Sequence, residues 1–170
     1  MTKFVALLRA VNVGGTGKLP MVELRAMAIR AGFAKVSIYI ASGNVVFETD
    51  MNEAGAAAAL GAQLEVYAGK PVAVLLRTAA EMAEVLAHNP FPEAPPNCTV
   101  AIFLPSPPEP DALVGVRHLT TEKIRLGARE IYVAYGETMG RSRLVIPAAE
   151  GGTARNINSV AELARIAGSL

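Results

Sequence analysis

Three short segments of the sequence are apolar at every position, and they constrain the fold more than any other feature. They lie at residues 4–8, 72–76 and 100–104. Short runs of branched apolar residues are typical of strands, and these are far shorter than the ~20 residues needed to cross a bilayer. A strand with one face in water alternates apolar and polar side chains. We therefore expect both faces to be covered, either because two halves of the chain pack together or because the chain forms a homodimer.

The pattern around these segments predicts a ferredoxin-like first half. Strands are predicted at residues 3–9, 36–40, 45–47 and 72–77. Helices are predicted at residues 20–31 and 52–67, where apolar residues recur at helical spacing. The resulting order, βαββαβ, is the split βαβ arrangement, in which an antiparallel sheet carries both helices on one face.

The second half shows a similar but shorter pattern. Helices are predicted at residues 78–88, 107–116 and 156–167, and strands at 99–104, 122–126 and 130–135. The fold class is therefore α+β, with two ferredoxin-like (α-β plait) halves that have antiparallel sheets and pack together. We place a first domain with a connecting helix at residues 1–92. A second, smaller domain with a C-terminal helix is placed at residues 93–170.

Charge and cysteine content exclude several classes of protein. Sixteen Lys and Arg against fifteen Asp and Glu give a net charge of +1, so any basic site must be local. The single cysteine, Cys98, excludes an internal disulfide and a cysteine-based zinc cluster, and His88 and His118 lack ligand spacing. We expect no metal and no cofactor. The N-terminus has no leader pattern, which predicts a cytoplasmic protein without a membrane partner.

A glycine-rich basic loop between the first strand and the first helix is the first candidate site. Its residues are Arg9, Asn12, Gly14, Gly15 and Lys18. Backbone N–H groups of such a loop, together with a helix N-terminus, can hold an anion. The loop is not a P-loop, because Asn12 stands where that motif needs Gly and a leucine follows Lys18. The alternative is a solvated loop without a ligand.

Arginines near the C-terminus form a second candidate site. Arg141 and Arg143 lie close together in the chain, and Arg155 and Asn156 precede the last helix. If Thr153 caps that helix, Arg155 occupies its first turn, where a cation opposes the helix dipole unless an anion is bound nearby. Simple solvation is the alternative. If the last helix packs near the glycine-rich loop, the two clusters form one basic pocket.

Several motifs together resemble the bacterial DUF1697 family. They are LLRAVNVGG at residues 7–15, YIASGNVVF at 39–47, NPF at 89–91, GRSRL at 140–144 and ARNINSV at 154–160. The resemblance implies a fold of two α-β plait domains and implies no established function. The family pattern is kept at Arg9, Asn12, Lys18, Asn44, Arg155 and Asn156. The sequence departs from it at residues 10, 41, 143, 157 and 162.

The leading interpretation is a binding protein for a small phosphate- or carboxylate-bearing ligand. Asn44, in the predicted hairpin turn, is either part of that site or only a turn former. An enzyme that stabilises charge without covalent chemistry is one alternative, although no catalytic residue is identified. A protein-interaction or dimerisation module is another. Nucleic acid is disfavoured as a partner, because Phe4 and Phe47 are the only aromatic residues on the two strands that would stack bases.

Overall fold

The computed structural model describes residues 1–9, 19–40 and 43–170. Within these residues the strands are β1 (Thr2–Leu8), β2 (Ala34–Tyr39), β3 (Asn44–Thr49), β4 (Val74–Thr78), β5 (Thr99–Phe103), β6 (Lys123–Leu126), β7 (Glu130–Ala134) and β8 (Thr153–Asn156). The α-helices are α1 (Met21–Arg30), α2 (Glu53–Ala68), α3 (Ala79–Ala87) and α4 (Ile157–Gly168). The chain divides into two compact units, Met1–Met82 with Leu163–Leu170, and Ala83–Glu162. The domain boundary after residue 92 stays a prediction.

The first sheet has the strand order β2-β3-β1-β4, and all its neighbouring strands are antiparallel. This is the predicted ferredoxin-like arrangement. Side chains of α1 and α2 pack with one face of the sheet in a core that includes Leu24, Leu60 and Phe47. The ring of Phe47 stacks on that of Phe33, with 3.8 Å between the ring centroids. Burial of these large apolar side chains is the main source of stability in this half.

Local signals explain where the helices of the first half begin and end. Asn52 caps α2 because its Oδ1 accepts a hydrogen bond from Gly55 N–H at 2.7 Å. The helix ends at Gly69, whose φ of 72° is the left-handed conformation that favours glycine. Thr78 and Glu81 form a reciprocal capping box at the start of α3.

The second sheet has the order β6-β7-β5-β8, which repeats the order of the first. The prediction of a helix at residues 107–116 is wrong, because this segment forms turns. Prolines at 107, 108 and 110 remove backbone donors and disfavour helical conformation before each of them. Leu113 and Val116 of the segment nevertheless pack against the apolar core of the sheet. They replace the helix that covers the corresponding position in the first half.

Both faces of β1 and β5 are buried, as two of the three apolar runs predicted; in the third run, residues 72–76, Ala73 is exposed and the strand begins only at Val74. On β1, Phe4, Ala6 and Leu8 face the core shared with the helices. Val5 and Leu7 alternate with them, so they point to the opposite face, and both are fully buried. The strand β5 is buried at every position as well. The packing of the two halves against each other, and dimerisation, stay predictions.

Candidate functional site

Arg9 lies at an end of the first sheet where three backbone segments converge. The N–H group of Arg9 donates to the carbonyl oxygen of Ala73 at 3.1 Å, and that of Leu8 donates to Gly43 O at 2.9 Å. The end of β1 is therefore held between the β2–β3 turn and the start of β4. The Arg9 side chain is exposed. Because the backbone is fixed, a ligand that binds this guanidinium group has to order only the side chain.

The N-terminus of α1 lies at the same end of the sheet, because its C-terminus leads through residues 31–33 into β2, which runs parallel to β1. Pro20 is its N-cap residue and has no side-chain oxygen to accept a hydrogen bond from the first turn. Pro20 therefore does not cap the positive end of the helix dipole. Lys70, in the turn between α2 and β4, is an exposed cation at this end that the sequence analysis did not identify.

The remaining predicted residues of the glycine-rich loop are Asn12, Gly14, Gly15 and Lys18. All four lie outside the described residues. Their role in a site stays a prediction.

Asn44 is a turn-forming residue in the structure. Its side chain is fully buried, and its Nδ2 donates to the carbonyl oxygen of Tyr39 at 3.0 Å. This bond closes the β2–β3 turn from inside. Asn44 therefore supports the backbone beside Arg9, and its hydrogen bond to Tyr39 gives it a structural role whether or not a ligand is present.

The predicted N-cap of the last helix is wrong. Thr153 lies in β8, and the cap is Asn156, whose Oδ1 accepts from Ser159 N–H at 2.8 Å. A threonine suits both positions, because β-branching favours strands and its hydroxyl suits caps. Arg155 thus lies in a strand and not in a helical first turn, so the helix dipole gives no reason for an anion beside it.

The guanidinium group of Arg155 is buried and hydrogen-bonded. Its Nη1 donates to Thr153 Oγ1 and to the carbonyl oxygen of Ala154, each at 2.9 Å. Burial lowers the pKa of Arg155 to about 10, because desolvation penalises the charged form. Part of the hydrogen-bonding capacity of Arg155 is therefore used within the protein.

Arg141 and Arg143 are both exposed at the end of a 3-10 helix, Gly136–Arg141. Between them, Ser142 donates from Oγ to Glu122 Oε2 at 2.7 Å and so fixes the segment to the start of β6. These two cations lie in the second unit, whereas Arg9 lies in the first. The single basic pocket that would join them stays a prediction.

Glu122 is a buried carboxylate that the sequence analysis left unassigned. Thr120 donates to it from its N–H and its hydroxyl group, at 3.0 and 2.6 Å, and Ser142 completes the set. Hydrogen bonds from Thr120 and Ser142 lower the pKa of Glu122 to about 2. Since hydroxyl and amide donors do not cancel its charge, Glu122 carries a full negative charge at neutral pH.

A cavity of about 810 Å³ opens in the second unit beside Glu122, whose chain neighbours Thr121 and Lys123 line it. Its walls include Phe91, from the proline-rich segment, and Tyr135, which follows β7. Burial, and next the charge of Glu122, raise the pKa of Tyr135, so its phenol stays protonated at neutral pH. No sequence pattern points to this site, because Phe91 and Tyr135 lie far apart in the chain.

The histidines and the cysteine do not form a metal site among residues 1–9, 19–40 and 43–170, where no group of three or more His, Cys, Asp or Glu has suitable geometry. His88 lies near Glu84, with its Nδ1 3.1 Å from Oε2. Within the same described ranges, no helix is both long and apolar enough to cross a membrane.

Comparison with known proteins assigns the chain to a family. The model of the family described as "Protein of unknown function (DUF1697)" matches residues 1–132, and the chain belongs to this family. A solved structure, that of conserved bacterial protein SP0830 from Streptococcus pneumoniae, is similar with a TM-score of 0.79 and 21% identity over 98% of each chain. This likeness confirms the two-part α+β fold. No curated protein matches the chain.

Proposed function

We propose that the protein binds a small anionic ligand, bearing phosphate or carboxylate, at the end of the first sheet where β1 stops. The observation that supports this most directly is the exposed side chain of Arg9 on a backbone that is held by two hydrogen bonds, from Leu8 N–H to Gly43 in the β2–β3 turn and from Arg9 N–H to Ala73 just before β4. Anions bind best where a cation and free backbone donors converge.

Two further features support an anion at this position. The N-cap residue of α1, Pro20, cannot cap the first turn with its side chain, so an oxyanion bound there would not compete with a cap from Pro20. Lys70 adds a second exposed cation near Ala73, the residue that anchors Arg9. The loop between Arg9 and α1 contributes Asn12 and Lys18 to the proposed site from the sequence.

A thermal-shift titration with inorganic phosphate, a nucleotide, a sugar phosphate and citrate tests the proposal. Binding to the folded state raises the melting temperature as ligand concentration passes the dissociation constant. We expect at least one of these probes to stabilise the protein. We expect Arg9→Ala to raise the dissociation constant of that probe by roughly tenfold or more, since hydrogen bonds to charged groups contribute about 1.5–3 kcal/mol.

Arg30→Ala is the matched control. Arg30 is an exposed arginine at the opposite end of α1, where its Nε donates to Gln63 Oε1. This variant removes the same charge and should leave the response to the probe unchanged. The proposal fails if no probe stabilises the protein, or if Arg9→Ala and Arg30→Ala respond alike.

A further inference from the structure

The cavity in the second unit has the size and walls of a ligand site that is independent of the proposed anion site. Its volume, about 810 Å³, lies within the range of small-molecule pockets. Tyr135 and Phe91 are both half-buried and supply aromatic surface. Every lining residue belongs to Ala83–Glu162, so the cavity is formed by this unit alone.

The charges around the cavity favour a cation. Glu93 and Glu137 line it with carboxylates, whereas Lys123 supplies one ammonium group. Glu122 does not line the cavity, and Arg141 and Arg143 stand on either side of Ser142, its hydrogen-bond donor, so these cations oppose its charge. In the wall itself, two carboxylates against one ammonium leave a net negative charge beside the aromatic residues.

We propose that this cavity binds a small organic cation, with its ammonium group over the ring of Tyr135 and close to Glu137. The face of an aromatic ring attracts a cation, and a nearby carboxylate adds to that attraction. An anionic ligand would meet two like charges in the wall, and a neutral apolar ligand would gain nothing from them. The apolar part of the ligand would contact Phe91.

Choline and its neutral isostere 3,3-dimethyl-1-butanol provide a direct test, because they differ in charge and hardly in shape. Each is titrated into the isotopically labelled protein and followed by two-dimensional NMR. We expect choline to shift the amide signals of Gly136 and Glu137, and to bind about fivefold or more tightly than the isostere. Equal affinity for both, or no shift at these residues with choline, overturns the proposal.

Three variants and one control distinguish a loss of choline binding from a loss of folding. Glu137→Gln removes one exposed charge without changing the core and should raise the dissociation constant for choline a few-fold. Tyr135→Phe keeps the ring and should retain choline binding, whereas Tyr135→Leu should lose most of it. Glu65→Gln, at an exposed position on α2, is the matched control and should have no effect. If the wild-type protein and Glu137→Gln bind choline equally, the proposed cation site is contradicted. Equal choline binding by Tyr135→Phe and Tyr135→Leu would contradict it as well.

Discussion

A methyl group added at Gly43 is expected to disrupt the contact between the β2–β3 turn and the end of β1. The φ of Gly43 is 80°, and a Cβ atom at this position would lie 3.0 Å from Leu8 Cβ. Leu8 is buried, and its N–H donates to Gly43 O at 2.9 Å, so neither residue can move away freely. The left-handed conformation costs about 1–2 kcal/mol for a residue with a Cβ, and overpacking adds about 1–3 kcal/mol. We expect Gly43→Ala to lower the free energy of unfolding by about 2–5 kcal/mol.

Gly69→Ala is the control that isolates the steric part. Gly69 has a φ of 72°, but no atom lies within 4 Å of an added Cβ. Its substitution should therefore cost only the backbone part, about 1–2 kcal/mol. Urea and thermal unfolding followed by far-UV circular dichroism suit this chain, which has no tryptophan. For a chain of this size, each kcal/mol lowers the melting temperature by about 2–4 °C.

The comparison of the two variants decides the prediction. Equal losses of stability would show that the turn yields to the methyl group, and the reasoning from the Leu8 contact would be refuted. Because Arg9 follows Leu8 directly, Gly43→Ala should also weaken any phosphate response, whereas Arg30→Ala should not.

Two other predictions concern polar residues of the second unit. Asn156→Ala removes the cap of α4 and should lower the free energy of unfolding by about 1 kcal/mol, as measured by urea unfolding. The thermal shift caused by phosphate should not change. A lost phosphate response would instead make Asn156 a ligand residue. The pKa of Glu122 is lowered from 4.5 to about 2, so its charged form stabilises the fold above pH 4.5, and this contribution is lost as the pH falls towards 2. Glu122→Gln should flatten the dependence of the urea midpoint on pH in this interval, and equal slopes for both proteins would contradict the assignment.

The fold of the first half could be predicted from the sequence because its signals are local. Apolar residues at helical spacing defined α1, and a run of five apolar residues defined most of β1. The errors fell where one residue type suits two structures. Thr153 reads as a helix cap and lies in β8, and residues 107–116 have helical spacing but too many prolines. Pairing with β5 decided the first case, and the prolines decided the second.

The candidate site could be predicted less well, because small polar residues serve both turns and ligands. Asn44 and Asn156 stand in the family motifs, yet the structure engages both in hydrogen bonds to the backbone. The aromatic walls of the cavity could not be predicted at all. Phe91 and Tyr135 are far apart in the sequence, and only the folding of the second unit brings them to one cavity.

The structural role of Arg155 is supported by a residue that was never a ligand candidate. The two sheets share one strand order, and Arg77 on β4 corresponds to Arg155 on β8. Arg77 pairs with Val5 on β1, and Arg155 pairs with Ala101 on β5. Each arginine is buried and donates from Nη1 to the carbonyl oxygen of the preceding residue at 2.9 Å.

This correspondence changes which cations remain for a ligand. The same bond on Arg77, where no ligand site was predicted, gives Arg155 a structural role that does not depend on a ligand, and its role as a ligand residue stays a prediction. Among the described candidates, the exposed cations are Arg9 and Lys70 in the first unit and Arg141 and Arg143 in the second. Of these four, Arg9 has its own N–H bonded to Ala73 and follows Leu8, which is bonded to the β2–β3 turn. For this reason the substitution of Arg9 is the sharpest test of the proposed function.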